Sequence, residues 1–210
     1  MTYKDILQSD YFFNTYSQVE VLKRDFPVNH GFMHVWHVIK NGRMLAEMFE
    51  LSEEEKRLLL IACTLHDIGY IKGRKDHDIS GAELAKEYLN GKMEKNEIET
   101  ICNAIANHGG DEPENFQDKV SKCLILADKL DFDNTRYRPD PNFSSVDMYL
   151  SIERVEFVKS ETGFNFNIFT TNIDYFKEYK EQHFFKKLIR VFENFEKVTK
   201  QKINLVFNQA

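Results

Sequence analysis

Between Phe32 and Phe49, apolar or small residues recur at Val35, Val38, Ile39, Gly42, Leu45, Ala46 and Phe49, the three- and four-residue spacing of one helix face. The same period predicts further helices along the first two thirds of the chain. Two short ones open it, at about Tyr3–Phe13 and Tyr16–Phe26, before Pro27 and Gly31 break the pattern. Ser52 and Glu55 have capping-box spacing, so a helix should follow and run to about Asp67, where Gly69 can end it. Another should begin near Asp78 and stop at Asn90-Gly91. The next carries Ile98, Ile101, Cys102 and Ile105 on one face and closes at Gly109-Gly110. A fifth core helix, about Asp118–Phe132, contains the segment CLILADKLD.

Beyond about residue 150 the period changes. Ile152–Val158 and Phe164–Phe169 flank the turn-like Glu161-Thr162-Gly163, and Phe164, Phe166 and Ile168 alternate with Asn165 and Asn167, which predicts a β-hairpin. A long amphipathic helix should run from about Asp174 to Lys202, its apolar face made by Phe176, Tyr179, Phe184, Leu188, Val191, Phe195 and Val198. The expected fold is an all-α core with a C-terminal α+β appendage. Residues 1–27 form N-terminal helices, 28–150 the main domain and 151–210 a hairpin and helix packed on it. The aromatic stripe of the last helix suits packing on its own core and leaves a homodimer open.

Composition narrows the class. Hydrophobic residues make up 42% of the 210 residues and charged ones 30%, too apolar for a disordered chain and ordinary for a globular one. The net charge of −6 offers no general attraction for a nucleic acid duplex or an anionic membrane, so neither is an expected partner. Cys63, Cys102 and Cys123 lie in apolar segments without CxxC spacing and read as reduced core residues. The N-terminus is unlike a signal peptide, and a cytoplasmic location is expected.

The chemistry sits at helix ends. His34 lies one turn before Val38, on that helix's inward side. His66 and Asp67 end the helix whose inner face is Leu58, Ile61, Ala62 and Leu65, and His108 ends the Ile101 and Ile105 stripe. Asp128 lies four residues after Leu124 in a mostly apolar helix. Taken singly, each has a plain reading: His66-Asp67 as a helix cap, Asp128 with Lys129 as a solvated pair, His37 and His183 as surface or hydrogen-bonded side chains. Together they are harder to explain without a cation, because burying imidazoles and carboxylates is costly unless something pairs them. This mixture of donors suits manganese, iron, cobalt, zinc or magnesium.

Order and context carry a resemblance. HVWHVIKNG at His34, LHDIGY at His66-Asp67 and ADKLD at Asp128 resemble the H…HD…D pattern of the HD superfamily of metal-dependent phosphohydrolases, over roughly residues 28–140. HDISGAELAKEYL, starting at His77, and AIANHGG, ending just after His108, resemble the second-metal segments of two-metal members. The run from His77 to Arg136 is similar to YqeK-type diadenosine tetraphosphate hydrolases. The chain departs from cyclic-dinucleotide phosphodiesterases of the HD-GYP group, having Gly109 where they carry a further histidine and no GYP signature.

The resemblance implies that His34, His66, Asp67 and Asp128 hold one divalent ion. Asp67 would bridge to a second ion at His77 and His108, with iron or manganese favoured. Two such ions lower the pKa of a shared water and clamp phosphoryl oxygens, which makes hydrolysis of a phosphate ester or anhydride, of a nucleotide or dinucleotide, the expected activity. Lys129 is expected to neutralise phosphate charge. Lys72, Arg74, Lys75, Arg136 and Arg138 are candidates for further phosphates, with a solvated turn as the alternative for the basic loop. Tyr70 and Tyr137 could stack a base, or simply pack. The same six ligands also fit a mixed-valence diiron oxygenase of this fold, and a nucleotide-sensing module without turnover is the third reading.

Overall fold

Ser52 Oγ accepts from the Glu55 backbone N–H while the Glu55 carboxylate accepts from the Ser52 N–H, so the capping box read from the sequence opens its helix as expected. The computed structural model describes residues 1–22, 28–138 and 146–210. Its helices are α1 (Tyr3–Leu7), α2 (Asp10–Leu22), α3 (Phe32–Met48), α4 (Glu53–Leu65), α5 (His77–Leu89), α6 (Lys95–Ala106), α7 (Lys119–Lys129), α8 (Val146–Leu150) and α9 (His183–Thr199). The strands are β1 (Ile152–Ser160), β2 (Gly163–Thr170) and β3 (Lys202–Gln209). The architecture is thus an all-helical core with a C-terminal appendage of a small sheet and a helix. No helix among the described residues is long and apolar enough to cross a membrane.

Helix α3 packs on α4 and α7, which also pack on each other, and α6 packs on both α4 and α7. Val35, Val38, Ile39, Leu45 and Ala46, the stripe that predicted α3, are all buried. Asn41 of α3 donates to the Ala127 carbonyl of α7 (3.1 Å), fixing the two helices one residue from Asp128. Helix α5 lies across the short 3-10 turn Ile68–Lys72 that follows α4. The crossing is close: a Cβ on Gly69 would lie 1.9 Å from the carbonyl oxygen of His77, so only glycine lets the two segments meet.

At the N-terminus the predicted break between Phe13 and Tyr16 is absent. Ser9 instead caps a continuous α2, its Oγ accepting from Phe12 N–H, and Tyr16 reaches from α2 to the Thr64 carbonyl at the end of α4. The expected end at Phe26 and break at Pro27 lie outside the described residues. Helix α4 stops at Leu65 rather than at Asp67, because the chain tightens into the 3-10 turn containing Gly69.

The hairpin forms as expected, with β1 and β2 antiparallel and Val155 facing Ile168 and Phe157 facing Phe166. Two features of the appendage differ from expectation. The long helix begins at His183, not Asp174, because residues 173–181 form two short 3-10 turns, the first capped by the Asn172 side chain. The helix also ends before Lys202, where Lys200 turns left-handed (φ 61°). The chain then adds β3 parallel to β2, giving the order β1-β2-β3. Helix α9 covers the buried face of β2, with Phe166 against Phe192 and Phe164 against Phe195. The appendage shares its core with the helices, since Phe195 also meets Phe49 and Phe116, and Phe185 meets Phe132.

Candidate metal centre

Three buried histidines and the half-buried His77 present the same nitrogen to one place. The Nδ1–H of His66 donates to the Cys63 carbonyl (2.9 Å), that of His108 to Ile105 (2.6 Å) and that of His77 to Arg74 (2.9 Å). His34 uses Nδ1 toward Asp131 Oδ2 (2.6 Å). A carbonyl can only accept, so in His66, His77 and His108 Nδ1 carries the proton and the Nε2 lone pair turns inward. The helix ends provide the carbonyls: Cys63 and Ile105 each sit three residues before their histidine, at the close of α4 and α6.

These lone pairs converge in two pairs. Nε2 of His34 and of His66 are 3.0 Å apart, and Nε2 of His77 and of His108 are 3.2 Å apart. Asp67 stands between the pairs. Its Oδ2 is 3.2 Å from both His34 and His66, and its Oδ1 is 3.6 Å from both His77 and His108. Asp128 Oδ1 closes the first group at 3.2 Å from His34 Nε2. Facing lone pairs at this distance repel, and a cation between them turns the repulsion into coordination. Donor atoms bonded at about 2.1 Å to one ion and at right angles stand about 3.0 Å apart, close to the separations seen. The residues therefore form groups that could hold divalent metal, with Asp67 between the two histidine pairs.

The electrostatics agree. Burial opposes ionisation of Asp67, yet His66, His30 and His108 hold its carboxyl well below the usual range. Burial likewise opposes ionisation of Asp128, and Lys129, His34 and Arg136 outweigh it. Burial lowers His66 and His77, keeping them neutral and ready to ligate. His34 differs: burial and Arg136 oppose its charge, but Asp128, Asp131 and Asp67 raise it to about 10. Positive charge is favoured at His34 Nε2 whether a proton or a metal ion supplies it.

All six expected ligands, His34, His66, Asp67, His77, His108 and Asp128, thus come together. Two partners, His30 and Asp131, escaped the sequence reading. His30 donates from Nδ1 to Asp67 Oδ2 (2.8 Å) and accepts at Nε2 from the Tyr70 hydroxyl (3.0 Å). Burial drives His30 down to about 3 against the pull of Asp67, so it stays neutral while orienting the Asp67 carboxylate. Asp131 receives His34 on one oxygen and His37 on the other (2.7 Å), with Arg136 also donating to it (2.9 Å). The signal for His30 and Asp131 was their spacing from known ligands, four residues before His34 and three after Asp128.

A cavity of about 720 Å³ opens over the ligands. Lys129 lines it, 2.6 Å from Asp128 Oδ2, and Arg74 lines its rim. Arg136 also reaches the cavity but is buried and engaged with Asp131, 3.6 Å from Asp128 and against the His34 ring, so it supports the ligands. Lys72 pairs with Glu83 (3.6 Å) and is not among the lining residues, nor are the exposed Lys75 and the half-buried Arg138. The two tyrosines pack: Tyr70 stacks on His30 and Tyr137 on Tyr149. His37 is hydrogen-bonded, as read, while His183 is exposed at the cavity wall.

No curated protein matches the chain. Residues 31–133 match the family model of the HD domain, a span that holds all six candidate ligand residues and the histidine and aspartate groups that could hold a metal ion.

Proposed function

We propose that the protein is a two-metal phosphohydrolase that cleaves a phosphate ester or anhydride bond, of a nucleotide or dinucleotide, by attack of water. The observation that carries this reading is Asp67, one buried carboxylate with an oxygen toward each histidine pair. His34, His66, Asp67 and Asp128 would hold the first ion, and Asp67, His77 and His108 the second. When bound, a pair of divalent ions, manganese or iron by the chemistry of these donors, activates water and polarises the phosphoryl oxygens.

The chain's own residues do the rest. Asp67 keeps its ionised, bridging orientation because His30 donates to it and Tyr70 holds His30. Asp131 fixes the His34 ring so that Nε2 faces Asp128. The Lys129 ammonium, beside Asp128 at the cavity wall, meets the phosphate's charge. Arg74, exposed at the rim, can pair with an outer part of an anionic substrate.

The test couples metal analysis of the purified protein to an anaerobic, manganese-supplemented phosphate-release screen of nucleotides, dinucleoside polyphosphates and simple monoesters. Two ions per chain and release of phosphate are expected. Asp67→Ala, folded by circular dichroism, should lose more than the roughly 100-fold typical of removing an outer partner of a ligand. His77→Ala should drop the stoichiometry from two to one. Full turnover by Asp67→Ala overturns the mechanism. Oxygen consumption by an iron form without phosphate release marks an oxygenase instead, and nucleotide binding with no turnover of any ester marks a sensing module.

A further inference from the structure

Helix α9 brings the appendage to the metal centre. His183, Phe184, Lys187 and Leu188 line the same cavity as Asp67, His77, His108 and Asp128. Lys187 rides on a firmly seated helix, because Phe185, Leu188 and Val191 around it are buried in the shared core. Asn194 donates to the carbonyls of Gly110 (3.2 Å) and Asp111 (2.9 Å), and Arg190 pairs with Asp111, which docks α9 on the loop following His108.

Lys187 stands apart from its neighbours. Lys186 pairs with Glu181, Arg190 with Asp111 and Lys129 with Asp128. Among the described residues, the Lys187 ammonium has neither an ion pair nor a hydrogen bond, although it is partly buried in the cavity wall. Its largest electrostatic influence is Lys129, which lowers its pKa, and burial adds to that. Asp111 and Asp128 oppose that lowering without forming an ion pair with Lys187, and two ammonium groups lining one partly desolvated cavity favour an anion within it. Phe132, Phe184 and Leu188 line the same cavity and give it an apolar side, with the Phe132 and Phe184 rings 5.8 Å apart. The volume of about 720 Å³ lies in the range of pockets that enclose a whole small ligand.

We propose that Lys187, together with Lys129, binds a second phosphate of the substrate, so that the site takes a molecule carrying at least two linked phosphates, one at the metal centre and the next between the two lysines. This rests on the hydrolase reading for the first phosphate and extends it to the substrate class. Lys187 is then a specificity-determining residue donated by the appendage, acting on binding of the inner phosphate and not on the ions.

The test uses the full chain loaded with manganese and titrates adenosine monophosphate and the non-hydrolysable α,β-methylene adenosine diphosphate by calorimetry. The parent protein should bind the diphosphate more tightly. Lys187→Met should weaken diphosphate binding by about tenfold or more, the loss expected when a charged hydrogen bond to phosphate is removed. Monophosphate binding should stay within about twofold of the parent, Lys187→Arg should keep most of the preference, and Lys186→Met should leave both ligands unchanged. A collapsed cavity would weaken both ligands alike, so equal losses overturn the proposal. No preference for the diphosphate in the parent, or a preference untouched by Lys187→Met, overturns it as well. A selective loss with no ester turned over would uphold this site and sink the hydrolase reading. Turnover of monoesters with no diphosphate preference would do the reverse.

Discussion

Asp131 holds two histidines at once, His34 on Oδ2 and His37 on Oδ1, and this shared carboxylate has a measurable consequence. Its hydrogen bond to His37 raises that imidazole's pKa, with burial opposing. A histidine whose folded pKa lies above its unfolded value of about 6.5 stabilises the fold fully below that pH, and the stabilisation disappears as pH rises through the raised folded value. His37→Gln should therefore lower the melting temperature more at pH 6 than at pH 9. Melting curves of parent and variant across that range check it, and a difference independent of pH would contradict it. His66, Asp67, His108 and Asp128 were legible because each ends or follows an apolar helical stripe, and His34 because it opens one on its inward side, whereas His77 was legible only through the resemblance of its segment. His30 and Asp131 were not. The contact of His30 with Asp67 spans 37 residues and that of His34 with Asp131 spans 97, so spacing from the ligand motifs marks the two residues without showing what each one meets.

At the scale of elements, the hold of α9 on the loop after His108 matters most. Gly110 adopts φ +68°, and a Cβ there would lie 2.8 Å from Ile125, so the turn is tight and glycine-dependent. Asn194, buried in α9, satisfies two carbonyls of that turn. Asn194→Leu leaves the buried Gly110 carbonyl and the part-buried Asp111 carbonyl without their donor and should cost about 1–3 kcal/mol. Because the turn follows His108 directly, the variant should also lose manganese from the second site before the first, seen as a stoichiometry below two at concentrations that saturate the parent. Retention of both ions at parental affinity would show that the turn holds its shape without α9. Core helices α3 and α6 were readable from periodicity because each carries one clear buried stripe, and α4, buried on every side from Leu58 to Leu65, from its capping box and apolar run. The appendage was read less well. Phe176 and Tyr179 continue the apolar spacing of α9, yet they pack from 3-10 turns against Phe207 of β3. The alternation of Ile203, Leu205 and Phe207 was the available strand signal, obscured by a helical pattern running up to it.

For the whole molecule, the question is whether core and appendage melt together and whether metal governs that melting. Phe195 touches Phe49 between α3 and α4, Phe116 before α7 and Phe164 of β2, so one aromatic cluster spans both parts. Phe185 adds a second link through Phe132, just after Asp128 and Asp131. Losing either part would expose the partner's aromatic face, so unfolding one part alone is costly. The candidate ligands themselves come from the start of α3, the ends of α4 and α6, the start of α5 and the end of α7, and an ion bound to them selects the state in which all are assembled. A ligand held at about 100 times its dissociation constant adds roughly 2.7 kcal/mol of stability per independent site. Calorimetric unfolding should therefore show one transition, shifted upward by manganese and returned by a chelator. His77→Ala, lacking a ligand to the second ion only, should keep a single transition with a smaller manganese shift. Two resolved transitions would divide the molecule into separately folding parts, and a single transition indifferent to manganese would mean that these donors hold no ion in solution.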